Sequence, residues 1–346
     1  MGLGAALAVT AGLALAWQIK GDVKQTTRTP KPIQATAPTV EQKAEVLPDA
    51  PHLLVGQTLE WSADKYPDET LRRAGPYLVK IRAREEDELV APEVEVSAAG
   101  QTVRMKGQTV SSTYSHRISL FQNQRGGAPV LMLQSFSGGA HCCNTVTLAG
   151  FSNGSLKTLE LGSWDGDNLP LPKDINKDGV ADIVVSDNSF LYAFASYASS
   201  YAPPQILNVR NGKVLDVSRG AGYRPLFAET MREAGEQCTS ASDGDSRNGA
   251  CPAYVATAAR LGKLGEAWRR MLAAYDPSTD WDFPTGCKVS RSPCPAGAEV
   301  QAKSYPEALL NFLRSGGYVP RGWQPPEYYQ TVEGEEDESG PVTDEI

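Results

Sequence analysis

The sequence predicts a mainly β protein with a smaller α-helical C-terminal part. From residue 52 to about residue 218, short β-prone runs alternate with turns that contain Gly and Asn. From Pro225 onward, apolar residues recur at helical spacing instead. Two cysteine pairs, 238 with 251 and 287 with 294, lie in this second region. We therefore expect propeller-like antiparallel β blades followed by a disulfide-stapled helical region.

Residues 1–20 are expected to be a signal peptide or an N-terminal anchor. Met1 to Trp17 contains no charged side chain and is mostly Ala, Leu and Gly. Such a run is short for a membrane span but has the length of a signal-peptide core, and Ala14-Leu15-Ala16 offers a small-residue cleavage site. No basic segment precedes it, so a retained anchor stays open. Either way we expect an exported protein, periplasmic or secreted.

The segments flanking the folded part are polar. Residues 21–51 are rich in Thr, Pro, Lys and Gln without apolar periodicity, which is typical of a flexible linker. Residues 326–346 contain eight acids and no Lys or Arg, which indicates a solvated, disordered tail. Without those eight acids the formal net charge of −8 becomes zero. Since no basic patch stands out, a nucleic-acid partner is not expected.

Residues 52–220 are predicted to form the β domain. Strand-length runs occur at residues 77–81, 92–96, 117–121 and 129–133. An internal duplication is also suggested: residues 125–132 align with 178–185, and residues 151–159 align with 209–217, each copy with an Asn-Gly turn. A period of about fifty residues of antiparallel strands is the footprint of propeller blades. Chance similarity of two hairpins is the alternative.

Residues 174–182 form the stretch that most clearly suggests a ligand. Oxygen-bearing side chains occupy positions 1, 3, 5 and 9 of this loop (Asp174, Asn176, Asp178 and Asp182), with Gly179 at position 6. Ca²⁺ is bound by such alternation, and position 7, Val180, would contribute its backbone carbonyl. The β-branched residues 183–185 predict that a strand follows. An Asx-rich turn without metal is the alternative.

This loop resembles the calcium loop of FG-GAP or VCBS-type repeats, the blades of integrin-like propellers. The family pattern Asp-x-Asp/Asn-x-Asp-Gly-x-x-Asp fits residues 174–182 at every ligand position. The resemblance covers about residues 165–217, implies Ca²⁺ as the bound ion, and brings no activity with it. The first copy of the duplication lacks carboxylates at the corresponding positions, so no calcium is implied there.

Residues 221–325 are predicted to form the helical domain. A first helix is expected from Pro225, a helical pair over residues 253–260 and 264–275, and a further helix over 305–313. Disulfides Cys238–Cys251 and Cys287–Cys294 would staple short polar loops in an oxidising compartment. Zinc is disfavoured, because the chain has three histidines and no Cys-x-x-Cys.

The sequence His141-Cys142-Cys143 is the other unusual stretch. A vicinal disulfide between Cys142 and Cys143, or two buried thiols, is the simplest interpretation in an exported protein. A metal or redox site that includes His141 is a second, and a nucleophilic cysteine is a third. Adjacent residues of a strand point to opposite faces, which disfavours a joint catalytic role.

Two functions follow from these patterns. The first is a non-catalytic binding or scaffolding protein of the cell envelope, with an unknown protein or glycan partner. The chain contains no nucleophile-elbow, phosphate-loop, dinucleotide or zinc-protease motif, so no catalytic residue is assigned. The alternative is a cell-envelope hydrolase that uses carboxylates such as Asp165 and Asp167, with calcium as a structural ion.

Overall fold

The computed structural model describes residues 50–139, 143–166, 168–287 and 294–326. The strands of the β part are β1 (Thr58–Trp61), β2 (Thr70–Ala74), β3 (Tyr77–Glu86), β4 (Leu89–Ala98), β5 (Gln101–Lys106), β6 (His116–Phe121), β7 (Val130–Phe136), β8 (Asn144–Ser152), β9 (Ser155–Trp164), β10 (Ile183–Ser186), β11 (Pro204–Arg210) and β12 (Lys213–Asp216). The helical part contains α1 (Arg224–Ser240), α2 (Gly244–Arg260), α3 (Leu264–Ala274), the short strands β13 (Gly286–Cys287) and β14 (Glu299–Val300), and α4 (Tyr305–Ser315). Single 3₁₀ turns occur at Asn188–Phe190, Tyr197–Ser199 and Ala221–Tyr223.

Two antiparallel sheets pack face to face in the N-terminal half. One has the order β2-β3-β4-β5 and the other β1-β6-β7-β8-β9. Alternate residues of each sheet, such as Val79 and Ile81 of β3 and Leu131 and Leu133 of β7, meet in one apolar core. The four strands expected at residues 77–81, 92–96, 117–121 and 129–133 correspond to β3, β4, β6 and β7, the last of which begins one residue later than expected.

A third, smaller sheet covers the other face of the five-stranded sheet. Its order is β10-β11-β12, and all its pairs are antiparallel. Met132 of β7 and Val146 of β8 face Ile183, Val185 and Leu207 of this sheet in a separate core. The central strands of the five-stranded sheet are therefore buried on both faces, which explains their nearly continuous apolar sequence.

The small sheet also supports the helices. Leu207 of β11 faces the five-stranded sheet, whereas its neighbour Ile206 packs with Tyr223 and Phe227 at the start of α1. The main helical core contains side chains from all of the helices α1, α2, α3 and α4. It also includes Phe190 and Phe194 from the connection between β10 and β11. The helices thus share a core with a segment that precedes the expected domain boundary at residue 220.

The expected propeller is not formed. In the described ranges the sheets are open, and they stack in layers instead of closing radially around an axis. The two Asn-Gly turns were nevertheless placed correctly, because they close the β8–β9 and β11–β12 hairpins. Asn153 and Gly154, and likewise Asn211 and Gly212, have positive φ, as such two-residue turns require. The sequence therefore predicts the two turns, but it does not predict how the sheets are arranged.

The Cys238–Cys251 staple differs from the expected loop closure. Residues between these cysteines are mostly helical, because Asp243 caps α2 by accepting a hydrogen bond from the backbone N–H of Ser246 at 2.8 Å. The disulfide therefore ties α1 to α2, and both of its cysteines are fully buried. The Cys287–Cys294 bridge is also present, next to β13.

The predicted signal or anchor, most of the predicted linker and the acidic tail from residue 327 lie outside the described residues. None of the helices in the described ranges combines the length and the apolar character that a membrane span requires.

Candidate functional site

The loop of residues 174–182 is closed at its base and leads into β10. Lys173 and Asp182 exchange both backbone hydrogen bonds, at 2.8 and 3.3 Å, so the intervening residues form a ring-like excursion. Lys177 and Gly179 have positive φ, with values of 63° and 89°, which lets the chain turn sharply. The segment before β7 lies alongside, since the N–H of Arg125 donates to the Gly179 carbonyl at 2.9 Å. The strand expected at residues 183–185 is observed as β10.

Asp182 is the buried anchor of this loop. Its side chain is 1% exposed. Its Oδ1 accepts hydrogen bonds from the Tyr223 hydroxyl at 2.6 Å and from the Asn208 side-chain amide at 2.7 Å. Its Oδ2 accepts from the backbone N–H groups of Ile175 at 2.8 Å and Asn176 at 3.4 Å. A carboxylate has about four acceptor positions, so donors from the protein fill the capacity of Asp182.

The other oxygen-bearing residues lie nearer the surface. Asp174 Oδ2 accepts from the Gly179 N–H at 2.9 Å, and Asn176 Oδ1 accepts from the Asp178 N–H at 3.0 Å. Asp178 Oδ1 accepts from the Val180 N–H at 2.9 Å. The contacts of Asn176 and Asp178 are Asx turns, whereas that of Asp174 reaches across the loop to a residue five positions on.

Arg210 closes the loop from the side of β11. Its Nη2 donates to Asp178 Oδ2 at 2.7 Å in a pair whose side chains are each more than a third exposed. Desolvation by itself raises the pKa of Asp178, but the hydrogen bonds from Val180 and Asn176 and the charge of Arg210 outweigh it and lower that pKa. Asp178 therefore stays ionised at neutral pH and is paired with the guanidinium of Arg210.

Asp174 Oδ1 is a side-chain oxygen of the loop that its surroundings leave unsatisfied. It is buried and has no hydrogen-bond partner among the described residues. An ionised carboxylate oxygen that is removed from water without a donor costs free energy, which a bound cation would recover. This oxygen is the feature of the loop that fits a metal ion.

The full ligand set expected from the sequence does not converge. The whole loop is described, yet no group of three or more His, Cys, Asp or Glu side chains in the described ranges stands close enough to hold a metal ion. The reason is that Asp182 turns into the protein toward Tyr223 and Asn208. An oxygen site here would consist of Asp174, Asn176, Asp178 and the Val180 carbonyl, with Asp182 as its support. Such a set would contain two carboxylates, fewer than the loop spacing predicted.

Three residues of this arrangement were missed by sequence reasoning: Asn208, Arg210 and Tyr223. All three come from elsewhere in the chain, and Tyr223 ends the 3₁₀ turn that leads into α1. Burial and the neighbouring Asp182 both raise the pKa of the Tyr223 hydroxyl. The sequence contained one signal for this arrangement, an Asn within the apolar run that became β11. Asn208 is fully buried in the structure, and a buried amide needs hydrogen-bond partners.

The His141-Cys142-Cys143 stretch can be followed only in part. His141 and Cys142 lie outside the described residues, and Cys143 is disulfide-bonded. Asp165 lines a cavity of about 500 Å³ together with Trp164 and Tyr201, whereas Asp167 also lies outside the described residues. No described cysteine is free.

Comparisons with known proteins overturn the FG-GAP or VCBS resemblance. Residues 227–317, which run from α1 to just beyond α4, match a family model described as the sll0997 C-terminal domain. No FG-GAP or VCBS family is found. A nine-residue Asp/Asn/Gly pattern is short enough to arise outside that family, because Asx-rich turns favour the same residues.

Two curated relatives are similar to longer parts of the chain. A probable thylakoid lumen protein, sll0997 of Synechocystis sp., is 38% identical over 194 residues, which is 55% of this chain and 57% of the relative. An uncharacterized protein, y4bJ of Sinorhizobium fredii, is 28% identical over 272 residues, 78% of this chain and 38% of the relative. The chain thus covers less than two thirds of either relative. No solved structure matches.

Proposed function

We propose that this protein is an exported, non-catalytic binding or scaffolding protein of the cell envelope, and that its loop of residues 174–182 binds Ca²⁺ weakly. Export is supported by the disulfides Cys238–Cys251 and Cys287–Cys294 and by the relative described as a probable thylakoid lumen protein. A non-catalytic role is supported by the absence from the sequence of the common catalytic motifs.

The calcium proposal rests on Asp174 Oδ1. This oxygen is buried without a partner, while the other oxygen of the same carboxylate is fixed by the Gly179 N–H. The carboxylate is therefore held in one orientation with one acceptor left over. A hard cation is the ligand that such an oxygen prefers, and nearby Asn176, Asp178 and Val180 supply further oxygens.

The guanidinium of Arg210 would compete with a calcium ion for the Asp178 carboxylate. Its bond to Asp178 is partly exposed, and exposed ion pairs contribute only about 0–1 kcal/mol. We propose that calcium displaces the guanidinium from Asp178 and leaves Asp182 in place. Ca²⁺ would then stiffen the connection into β10, and its affinity would lie on the order of 10⁻⁴ to 10⁻³ M, as in extracellular modules.

Calorimetric titration of the full chain with Ca²⁺ tests this proposal, with Mg²⁺ as the control ion. Ca²⁺ should produce binding heat and raise the melting temperature, whereas Mg²⁺ should do so poorly because it prefers a tight octahedral shell. Asp174→Asn should abolish binding without unfolding the protein. Arg210→Gln should bind Ca²⁺ more tightly, because the competing cation is gone.

The opposite pattern identifies the loop as a turn without metal. In that case Ca²⁺ gives neither heat nor stabilisation in the parent protein, and Arg210→Gln is no better. Export is tested separately by mapping disulfides in protein taken from the envelope fraction. If cysteines 238, 251, 287 and 294 all react with an alkylating reagent without reductant, the proposal of an oxidising compartment fails.

A further inference from the structure

A cavity of about 730 Å³ lies where the C-terminal ends of α2 and α4 approach each other. Four arginines line it: Arg219, Arg260, Arg314 and Arg321. None of its described lining residues is acidic. Such a concentration of one charge is unusual in a protein whose net charge is −8.

Part of this charge serves the fold. Arg219 Nη2 donates to the Gly317 carbonyl at 2.8 Å, and Arg314 Nη2 donates to the Trp323 carbonyl at 2.6 Å. Arg260 lies in the last turn of α2 and Arg314 in the last turn of α4, where positive charge complements the helix dipoles. These contacts use only a small share of the five N–H donors that each guanidinium carries.

Two of the remaining donors, one on each of two arginines, lack acceptors. The Nε atoms of Arg260 and Arg314 are buried without a hydrogen-bond partner, and Arg260 lies 4.5 Å above the ring of Tyr318. Within the described ranges, none of the four arginines belongs to an ion pair. Buried guanidinium donors without acceptors cost free energy unless a ligand satisfies them.

Two carboxylates near the cavity accept hydrogen bonds from uncharged groups. Asp216 accepts hydrogen bonds from Ser218, and Asp187 accepts one from the Tyr318 hydroxyl at 2.8 Å. Burial lowers the pKa of Arg260, and the nearby charge of Arg219 lowers it further, against opposing contributions from Tyr318 and Asp216. Burial is therefore the main cost of keeping Arg260 charged beside this cavity.

We propose that this cavity binds an oxyanion, the phosphate or carboxylate group of a small ligand. Guanidinium groups match both groups through paired N–H···O hydrogen bonds, which an isolated lysine cannot supply. Trp323 forms part of the wall and packs edge-on against Trp268 at 5.5 Å. An apolar portion of the ligand would rest on this aromatic wall, and Trp323 fluorescence would report its arrival.

Titration of the full chain with inorganic phosphate, and separately with citrate, tests the proposal. Ionic strength is held constant with sodium chloride, so that general screening does not change. Binding is followed by calorimetry and by tryptophan fluorescence. Arg260→Gln and Arg321→Gln should each weaken binding about tenfold or more, the cost of losing a hydrogen bond to a charged group.

Arg232→Gln is the matched control. Arg232 is exposed, pairs with Glu233 on α1, and does not line the cavity. Its substitution should leave phosphate affinity unchanged. Because Arg321 is exposed, its variant keeps the test valid if Arg260→Gln fails to fold. The proposal is overturned if neither probe binds, or if both cavity variants bind as tightly as the control.

A second arm distinguishes the source of the anion. The chain itself carries carboxylates after residue 326, including Glu335, Glu336 and Asp337. Amide substitution of those acids should tighten phosphate binding if the chain's own carboxylates compete for the cavity. Unchanged affinity would instead indicate an external phosphate- or carboxylate-bearing ligand, with the oxyanion site intact in either case.

Discussion

The hydroxyl of Tyr305 donates a hydrogen bond to the backbone carbonyl of Asn248 at 2.6 Å. Asn248 lies four residues before Pro252, which sits inside α2 and has no N–H to complete the helical hydrogen bond. A side chain from the start of α4 therefore replaces the donor that the proline removes. Tyr305 is 2% exposed, so water cannot take its place.

Tyr305→Phe should destabilise the protein by roughly 1–3 kcal/mol, because it leaves a buried carbonyl without a donor. Pro252→Ala restores a backbone N–H at that point. In the Pro252→Ala background, Tyr305→Phe should therefore cost clearly less. Denaturant unfolding of all four proteins measures the coupling. Equal costs in both backgrounds would show that the hydroxyl and the proline act independently.

Tyr223→Phe should weaken the fold through Asp182. The hydroxyl supplies one of the four donors to this buried carboxylate, and hydrogen bonds to charged groups contribute about 1.5–3 kcal/mol. The free energy of unfolding should fall by that amount. Tyr114→Phe is the control, since Tyr114 is 45% exposed. A Tyr223→Phe protein as stable as this control would contradict the anchoring role of Asp182.

Stability should decrease in mildly acidic solution because of His116. This side chain is 1% exposed, its Nδ1 lies 2.7 Å from the Ser135 hydroxyl, and its Nε2 has no partner. Burial lowers its pKa to about 4, whereas in the unfolded chain it lies near 6.5. The unfolded state thus takes up the proton first, and stability is lost as the pH falls from about 6.5 through 4.

The contribution of His116 should be about 3 kcal/mol across that interval. His116→Gln should remove this part of the pH dependence, as measured by the midpoint of chemical unfolding at several pH values. His52→Gln is the matched control, because His52 is exposed. A His116→Gln protein with the same pH profile as the His52→Gln protein would assign the acid sensitivity to carboxylates instead.

Removal of the Cys238–Cys251 disulfide should lower stability by about 3 kcal/mol, as expected for a bridge that spans 13 residues. The double substitution to alanine avoids leaving a buried free thiol. The same change at residues 287 and 294 should cost less, because that bridge closes a shorter span of 7 residues. A larger loss at the second bridge would show that chain entropy is not the controlling factor.

The sequence by itself determined the local elements. Strand-length runs of β-prone residues predicted β3, β4, β6 and β7, the Asn-Gly pairs predicted two hairpins, and Pro225 predicted the start of α1. The cysteine spacing identified both bridges that the structure contains in the helical part. These features depend on residues that are close together along the chain, so one sequence is enough to predict them.

Only the tertiary structure decided how those elements assemble and what the loop at 174–182 becomes. The sheets stack in layers and do not surround a propeller axis. Strands β7 and β11 have apolar side chains on both of their faces, so each of them lies between two layers. The sequence does not predict the start of α2, because Pro252 argues locally against a helix. The compensating donor, the Tyr305 hydroxyl, lies 57 residues beyond the Asn248 carbonyl that it satisfies. Likewise, the spacing of Asp174, Asn176, Asp178 and Asp182 suggested one shared centre, but Tyr223 and Asn208 draw Asp182 into the core. A carboxylate binds the donors that the fold brings to it, and its spacing in the chain does not determine which donors those are.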